Sequence, residues 1–151
     1  MRLHRIATAS FAGTAETAFS GQGGVHGSGR WHHRGLAVVY TAAHRSLALL
    51  EILAHLDPRW PLQPMVAWEI EVPETFIHTA DDLPGDWKSN PDATRTYGDA
   101  WLASGRSAAL LVPSVIVPVE ANVLLNPIHP DFRFDWVKSG PEAVEIDPRL
   151  L

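Results

Sequence analysis

The sequence predicts an α+β fold: one compact domain of short mixed or antiparallel strands with a few helices. Three observations carry this. Short apolar runs bounded by Gly and Pro recur along the chain. Helical periodicity is confined to two or three stretches. The two kinds of element do not alternate as a doubly wound sheet requires. A chain of 151 residues suits a single domain. No repeat, low-complexity tract or linker divides it, so the domain is expected to span residues 1–151.

Leu3 to Ala7 reads as a first strand. A Gly-rich loop follows from Gly21 to Gly35, where six glycines permit positive φ or close approach of the backbone to another group. Ala37 to Tyr40 is a short apolar run and reads as a buried strand. Ser46 is a plausible N-cap for a helix running to about Leu56 and stopped by Pro58. Met65 to Val72 alternates, with Val66, Trp68, Ile70 and Val72 on one face, and predicts a half-buried strand. Phe76 to His78 adds a short strand before the turn-rich DDLPGDW segment. Thr96 to Ser104 predicts a short helix. Strands are expected at Ala109–Val112, Val115–Val117, Val123–Leu125, Phe132–Phe134 and Val144–Ile146.

The formal charge of −5 argues against a surface built to grip nucleic acid or anionic lipid. The absence of cysteine removes disulfides, thiolate nucleophiles and thiolate metal sites, and suits a reducing compartment. The amino-terminal MRLHRIATASF lacks an apolar h-region and no run approaches a membrane span, so a soluble, cytoplasmic protein is expected. Eight His are scattered without ligand spacing, so no metal is expected. Six Trp are many for this length; some belong to the core, and Trp also lines pockets for flat ligands.

Glu51 carries the most weight among candidate functional residues. It sits in SLALLEILAHL, a helix apolar almost all round and therefore expected to be buried. A carboxylate there lies at the mouth of a pocket, pairs with an internal Arg, or occupies a narrow solvated stripe. Arg30, in GSGRWHHRG, has a guanidinium fork suited to a pyrophosphate or ribose, or is an exposed loop residue. The loop is neither a Walker loop nor a GxGxxG turn. Tyr40 presents its ring to a flat ligand or packs in the core. Ser114 lacks a G-x-S-x-G frame and reads better as a structural hydroxyl. Asn122 and Asn126 cap turns or orient a pocket residue.

Arg30, Glu51 and Ser114 lie in GRWHHRGLAVVYTA, SLALLEIL and LLVPSVIVPVEANVLLNPIHPDF. With LHRIA, GDAWL and IDPRL, these strings resemble the RES domain family, named for an Arg, a Glu and a Ser in that order. The resemblance covers almost the whole chain. It implies an ADP-ribosyltransferase-like fold with an NAD⁺ cleft, in a bacterial toxin paired with an antitoxin that carries an Xre-type helix-turn-helix domain. It further implies NAD⁺ as substrate rather than a bound cofactor, with the nicotinamide–ribose bond cleaved by phosphate or by water. ADP-ribosylation of one protein target is an alternative, and a non-catalytic nucleotide- or protein-binding module is another. By the same likeness Arg30 binds NAD⁺ phosphate or ribose, Glu51 holds the nicotinamide ribose, Tyr40 lines the nicotinamide pocket, and Ser114 supports the cleft. Arg5 is a further candidate for a phosphate contact. The toxin is expected to be a homodimer within a hetero-oligomer.

Overall fold

The computed structural model describes all 151 residues. Seven strands form one sheet: β1 (Arg2–Thr8), β2 (Val39–Ala42), β3 (Met65–Glu71), β4 (Ile77–Thr79), β5 (Ala109–Pro113), β6 (Ala121–Leu125) and β7 (Val137–Val144). Their spatial order is β4-β5-β6-β2-β1-β3-β7, and every pair is antiparallel except β4 with β5. Four helices accompany them: α1 (Ala15–Ala18), α2 (Gln22–His26), α3 (Arg45–Ala54) and α4 (Pro91–Ser104). The α+β expectation holds.

The sheet is nearly divided in the middle. β1 pairs with β3 from Arg2↔Glu71 to Thr8↔Met65, but meets β2 at a single pair, His4↔Ala42. One face is continuous across this weak seam. Leu3, Val39, Trp68, Ile70, Val72, Val123 and Leu125 pack there with Phe132 and Trp136. The other face carries two separate clusters. α3 covers Ile6, Ala42, Met65 and Ala67 through Leu47 and Ala48, whereas Trp31 and Trp101 cover Leu110, Val112 and Leu124. The space between these clusters is the site.

Local sequence explains most boundaries. α4 begins where Asn90 accepts the Ala93 N–H and Pro91 opens the first turn, five residues before the expected start at Thr96. It ends on Gly105 at φ 58°, a left-handed position that glycine takes without steric cost. α3 starts at Arg45 with His44 in the N-cap position, not Ser46, and no side chain caps it. It packs on the sheet through one side only. Leu47 and Ala48 are buried while Leu50 is 39 % exposed, which corrects the expectation of a buried helix. The Met65–Glu71 strand does put Val66, Trp68 and Ile70 against one core, but Met65 and Ala67 are buried against α3 as well.

Two expected strands are turns. At Val115–Val117 the Ser114 Oγ accepts the N–H groups of Ile116 (3.1 Å) and Val117 (3.0 Å), so these donors are lost to any ladder. At Phe132–Phe134 the chain leaves a turn closed by the Phe132 N–H on the His129 carbonyl, passes through an extended Arg133, and enters a 3₁₀ turn at Phe134–Trp136. There Phe132 and Trp136 face the core, with ring centroids 5.7 Å apart. Ala37–Tyr40 is displaced to Val39–Ala42, and the Val144–Ile146 strand lies earlier, over Val137–Val144. The Gly21–Gly35 loop contains α2, a single helical turn, and α1 was not anticipated.

Candidate functional site

A cleft of about 420 Å³ opens between the two clusters of the divided face. From the α3 side it is walled by Ile6, Ala42, Ala48 and Ile52, and from the other by Trp31 and Tyr40. Arg5, Arg30, Glu51 and Asn122 contribute its charged and polar groups, with His4 and His55. Five of the six expected site residues line it. The sixth, Ser114, is fully buried directly behind Glu51.

Glu51 reaches from the second half of α3 to β6 and the end of β5. Its Oε1 accepts the Ser114 hydroxyl at 2.9 Å and the Asn122 amide at 2.6 Å. The Ser114 oxygen already accepts two backbone N–H groups, so its one proton is directed at the carboxylate. Both contacts fall on Oε1, so Oε2 has no hydrogen-bond partner in a residue that lines the cleft. Glu51 is the sole carboxylate in the lining and has no ion-pair partner. The pocket-mouth reading of this residue therefore stands and the internal ion pair does not. His55 donates Nδ1–H to the Glu51 carbonyl at 2.7 Å, securing the last turn of α3.

Two guanidinium groups face this carboxylate's cleft. Arg5 spans the seam of the sheet, where its Nη1 donates to the Tyr40 carbonyl at 3.1 Å in place of a missing ladder bond. Its Nε is sealed from solvent without a partner, and burial pushes its pKa down to about 10. It remains a cation at neutral pH, and no carboxylate neutralises it. Arg30 is not an exposed loop residue. Its Nη2 donates to the carbonyls of Trp87 and Lys88, the latter at 2.7 Å, and its Nε is buried and unpartnered. Burial and then the neighbouring Arg95 lower its pKa, while Glu51 opposes them.

α4 sets the position of Arg30. Thr94 donates to the Arg30 carbonyl at 2.7 Å, Arg95 Nε donates to the Gly29 carbonyl at 2.8 Å, and Asp99 accepts the His33 N–H at 2.9 Å. Gly98 lies directly against the Trp31 carbonyl, where a Cβ has no room. Tyr40 points its ring into the cleft from β2, and burial of the phenol raises its pKa. Asn126, by contrast, caps its own turn by accepting the Ile128 N–H, away from the cleft. No group of three or more His, Cys, Asp or Glu is placed to hold a metal ion, and no helix is long and apolar enough to cross a membrane.

The sequence profile of the RES domain matches residues 2–146. The chain belongs to the RES family. The α+β core with its divided sheet accords with the ADP-ribosyltransferase-like fold. A relative from Yersinia enterocolitica (serotype O:8 / biotype 1B), called Toxin Res, is 37 % identical over 154 residues, covering 99 % of each chain. A relative from Sphingobium sp. (strain YBL2), called a Prs ADP-ribosylating toxin, is 42 % identical over 160 residues, covering 97 % of this chain and 94 % of its own. A further Toxin Res, from Pseudomonas putida, is 40 % identical over 141 residues, covering 91 % and 96 %.

In this RES domain the Arg, Glu and Ser divide their work. Glu51 faces the cleft, Ser114 orients it from behind, and Arg30 ties the cleft wall to the turn before α4. Thr94, Arg95 and His32 escape a reading of the sequence because each acts through a backbone or side-chain contact remote in sequence or concealed in the loop. Replacing Ser114 with Ala is expected to remove the hydroxyl donor to Glu51 and leave the Ile116 and Val117 N–H groups unpartnered. A loss of about 1–3 kcal/mol in unfolding free energy, measured by denaturant titration, is the expected result.

Proposed function

We propose that this chain breaks the bond between nicotinamide and ribose in NAD⁺. The observation that carries the reading is the Glu51 carboxylate, fixed through Oε1 by Ser114 and Asn122 with Oε2 free, in a cleft whose guanidinium groups lack counter-ions. The chemistry suits such a site. As the C1′–N bond breaks, its electron pair goes to the nicotinamide ring, which leaves neutral and needs no proton from an acid. Positive charge passes to the ribose. A preorganised carboxylate in a cleft of low dielectric stabilises that charge more than water does. Arg5, and Arg30 through the Nη1 left outside its clamp, supply a planar fork geometry suited to pyrophosphate oxygens. They hold the substrate rather than join the reaction. Tyr40 supplies an aromatic wall for a flat ring, backed by the buried Trp31.

An acceptor oxygen then bonds to C1′. With inorganic phosphate the products are nicotinamide and ADP-ribose 1″-phosphate; with water they are nicotinamide and ADP-ribose. Phosphate is the acceptor we favour, since it attacks as an anion and needs no base. The second reading is ADP-ribosyl transfer to a protein, favoured by the printed name of the Sphingobium relative. An enzyme that consumes NAD⁺ harms its host unless blocked. The proposal therefore includes an antitoxin of Xre helix-turn-helix type covering the cleft of a homodimeric toxin in the bacterial cytoplasm.

The test is incubation of the purified protein with NAD⁺, with and without phosphate, followed by chromatography of the nucleotides. Phosphate-dependent loss of NAD⁺ is the expected result. Loss without phosphate assigns water. Loss only in the presence of an added protein that becomes labelled assigns transfer. NAD⁺ that stays intact under all three conditions reduces the cleft to a binding module.

A further inference from the structure

The Gly-rich segment encloses a buried histidine that none of the preceding chemistry uses. His32 is 2 % exposed and sits beneath Tyr40, with ring centroids 5.6 Å apart. Its Nε2 faces two acceptors, the carbonyls of Gly27 at 2.9 Å and Gly24 at 3.2 Å. Only a protonated Nε2 satisfies them, so in the neutral ring Nδ1 carries the lone pair. Two donors converge on Nδ1: the Gly29 N–H at 3.2 Å and the Tyr40 hydroxyl at 2.8 Å. The Tyr40 oxygen in turn accepts the Trp31 N–H at 3.0 Å, which leaves its own proton for His32.

The glycines make room for this network. A Cβ on Gly29 would run into the Tyr40 hydroxyl, and one on Gly24 would meet the Leu36 carbonyl and His32 Nε2. Gly29 is therefore required by the buried His32–Tyr40 pair, whereas Gly24 is required first by the Leu36 carbonyl and Val38 and only then by His32.

We infer that His32 is a positioning residue. As the Nε2–H tautomer it accepts the Tyr40 proton and fixes the Tyr40 ring as a wall of the cleft. The Tyr40 hydroxyl is consequently spent inside the protein and offers no proton to a substrate; Tyr40 acts through its ring face. This rests on the NAD⁺ reading for its effect on turnover, but not for its effect on the tyrosine itself.

Two substitutions separate the contacts. In His32→Gln the side-chain amide reaches the position of Nε2 and keeps the Gly24 and Gly27 carbonyls bonded, but no acceptor remains beside Tyr40. In His32→Asn the carbonyl oxygen takes the place of Nδ1 and accepts the Tyr40 proton, at the cost of the Nε2 contacts. Tyr40 and Tyr97 are the two tyrosines of the chain, so in a Tyr97→Phe background the ultraviolet resonance Raman tyrosine doublet reports Tyr40 alone. The doublet is expected to show a proton-donating phenol in the parent and in His32→Asn, and a phenol that has lost its acceptor in His32→Gln. KM for NAD⁺ is expected to rise about tenfold in His32→Gln, with kcat changed far less, and to return toward the parent value in His32→Asn. An unchanged doublet in His32→Gln overturns the inference, as does a KM for that variant within twofold of the parent, or His32→Asn as impaired as His32→Gln. A parent that leaves NAD⁺ intact removes the functional reading alone, because the doublet still decides the contact between His32 and Tyr40.

Discussion

Glu51→Gln is expected to fold as the parent does and to lose about 10²–10³-fold in nicotinamide release, the loss typical of removing one preorganised electrostatic contact. The geometry separates these two outcomes. Glutamine keeps an Oε1 that can accept the Ser114 hydroxyl and the Asn122 amide at their present distances of 2.9 and 2.6 Å. Its amide nitrogen replaces Oε2, so a donor faces the cleft where a charged acceptor stood. No buried cation is abandoned, since Glu51 has no ion-pair partner; breaking a buried pair would instead cost some 3–5 kcal/mol. Thermal melting and NAD⁺ consumption measured on one sample check both halves. A variant that melts with the parent and consumes NAD⁺ at the parent rate removes Glu51 from the reaction.

How much of this site is legible in the sequence depends on the range of each contact. Arg30, Glu51, Tyr40, Asn122 and Arg5 all line one cleft. Unusual context marks the first two, an arginine closing a glycine run and a carboxylate in an apolar helix, whereas Arg5 and the pocket role of Tyr40 come from the resemblance to the RES family. Their roles are less legible. Ser114 bonds a residue 63 positions earlier and Asn122 one 71 positions earlier, and no local pattern encodes such distances. Arg30 illustrates the same limit. Its fork suggests a ligand contact, yet two of its bonds go to carbonyls 57 and 58 residues away. The same limit holds for His32, whose partners Gly24, Gly27 and Tyr40 are set by the fold of the loop. Adjacent in sequence, His32 is buried under Tyr40 and His33 pairs with Asp99 at the surface.

The fold shows a parallel division. The Met65–Glu71 strand is read from its period in sequence, although the structure buries both of its faces. The β7 strand is not, because VKSGPEAV is mostly exposed and carries Gly and Pro, as an edge strand tolerates. Apolar content misleads in the opposite direction at Val115–Val117 and Phe132–Phe134. In the first a serine side chain captures the backbone donors. In the second large rings fill the core from a turn, where burial does not require a ladder. The seam between β1 and β2 is the feature that creates the cleft, and it arises from pairing over one residue pair. Pairing partners are not written in either strand.

Arg30→Lys provides the second large effect, and the structure makes it a more demanding test than charge alone suggests. Under the proposed function the arginine has two tasks. Nη2 clamps the Trp87 and Lys88 carbonyls, and the remaining Nη1 edge is left for an anion in the cleft. A lysine ammonium is a single point on a flexible stem and cannot hold both carbonyls while presenting a planar edge elsewhere. Affinity for ADP-ribose, a product that retains the pyrophosphate, is expected to fall roughly ten- to 150-fold. That corresponds to about 1.5–3 kcal/mol for a charge-assisted, fork-shaped contact. Arg30→Ala is expected to lose at least as much and to melt lower, because both carbonyls then lack their donor and the Trp31–Trp87 contact is no longer braced. Calorimetric titration with ADP-ribose alongside thermal melting separates the two tasks. If both variants melt lower but bind ADP-ribose as tightly as the parent, Arg30 serves only as a clamp on the turn before α4, and Arg5 is left as the sole guanidinium available to the pyrophosphate.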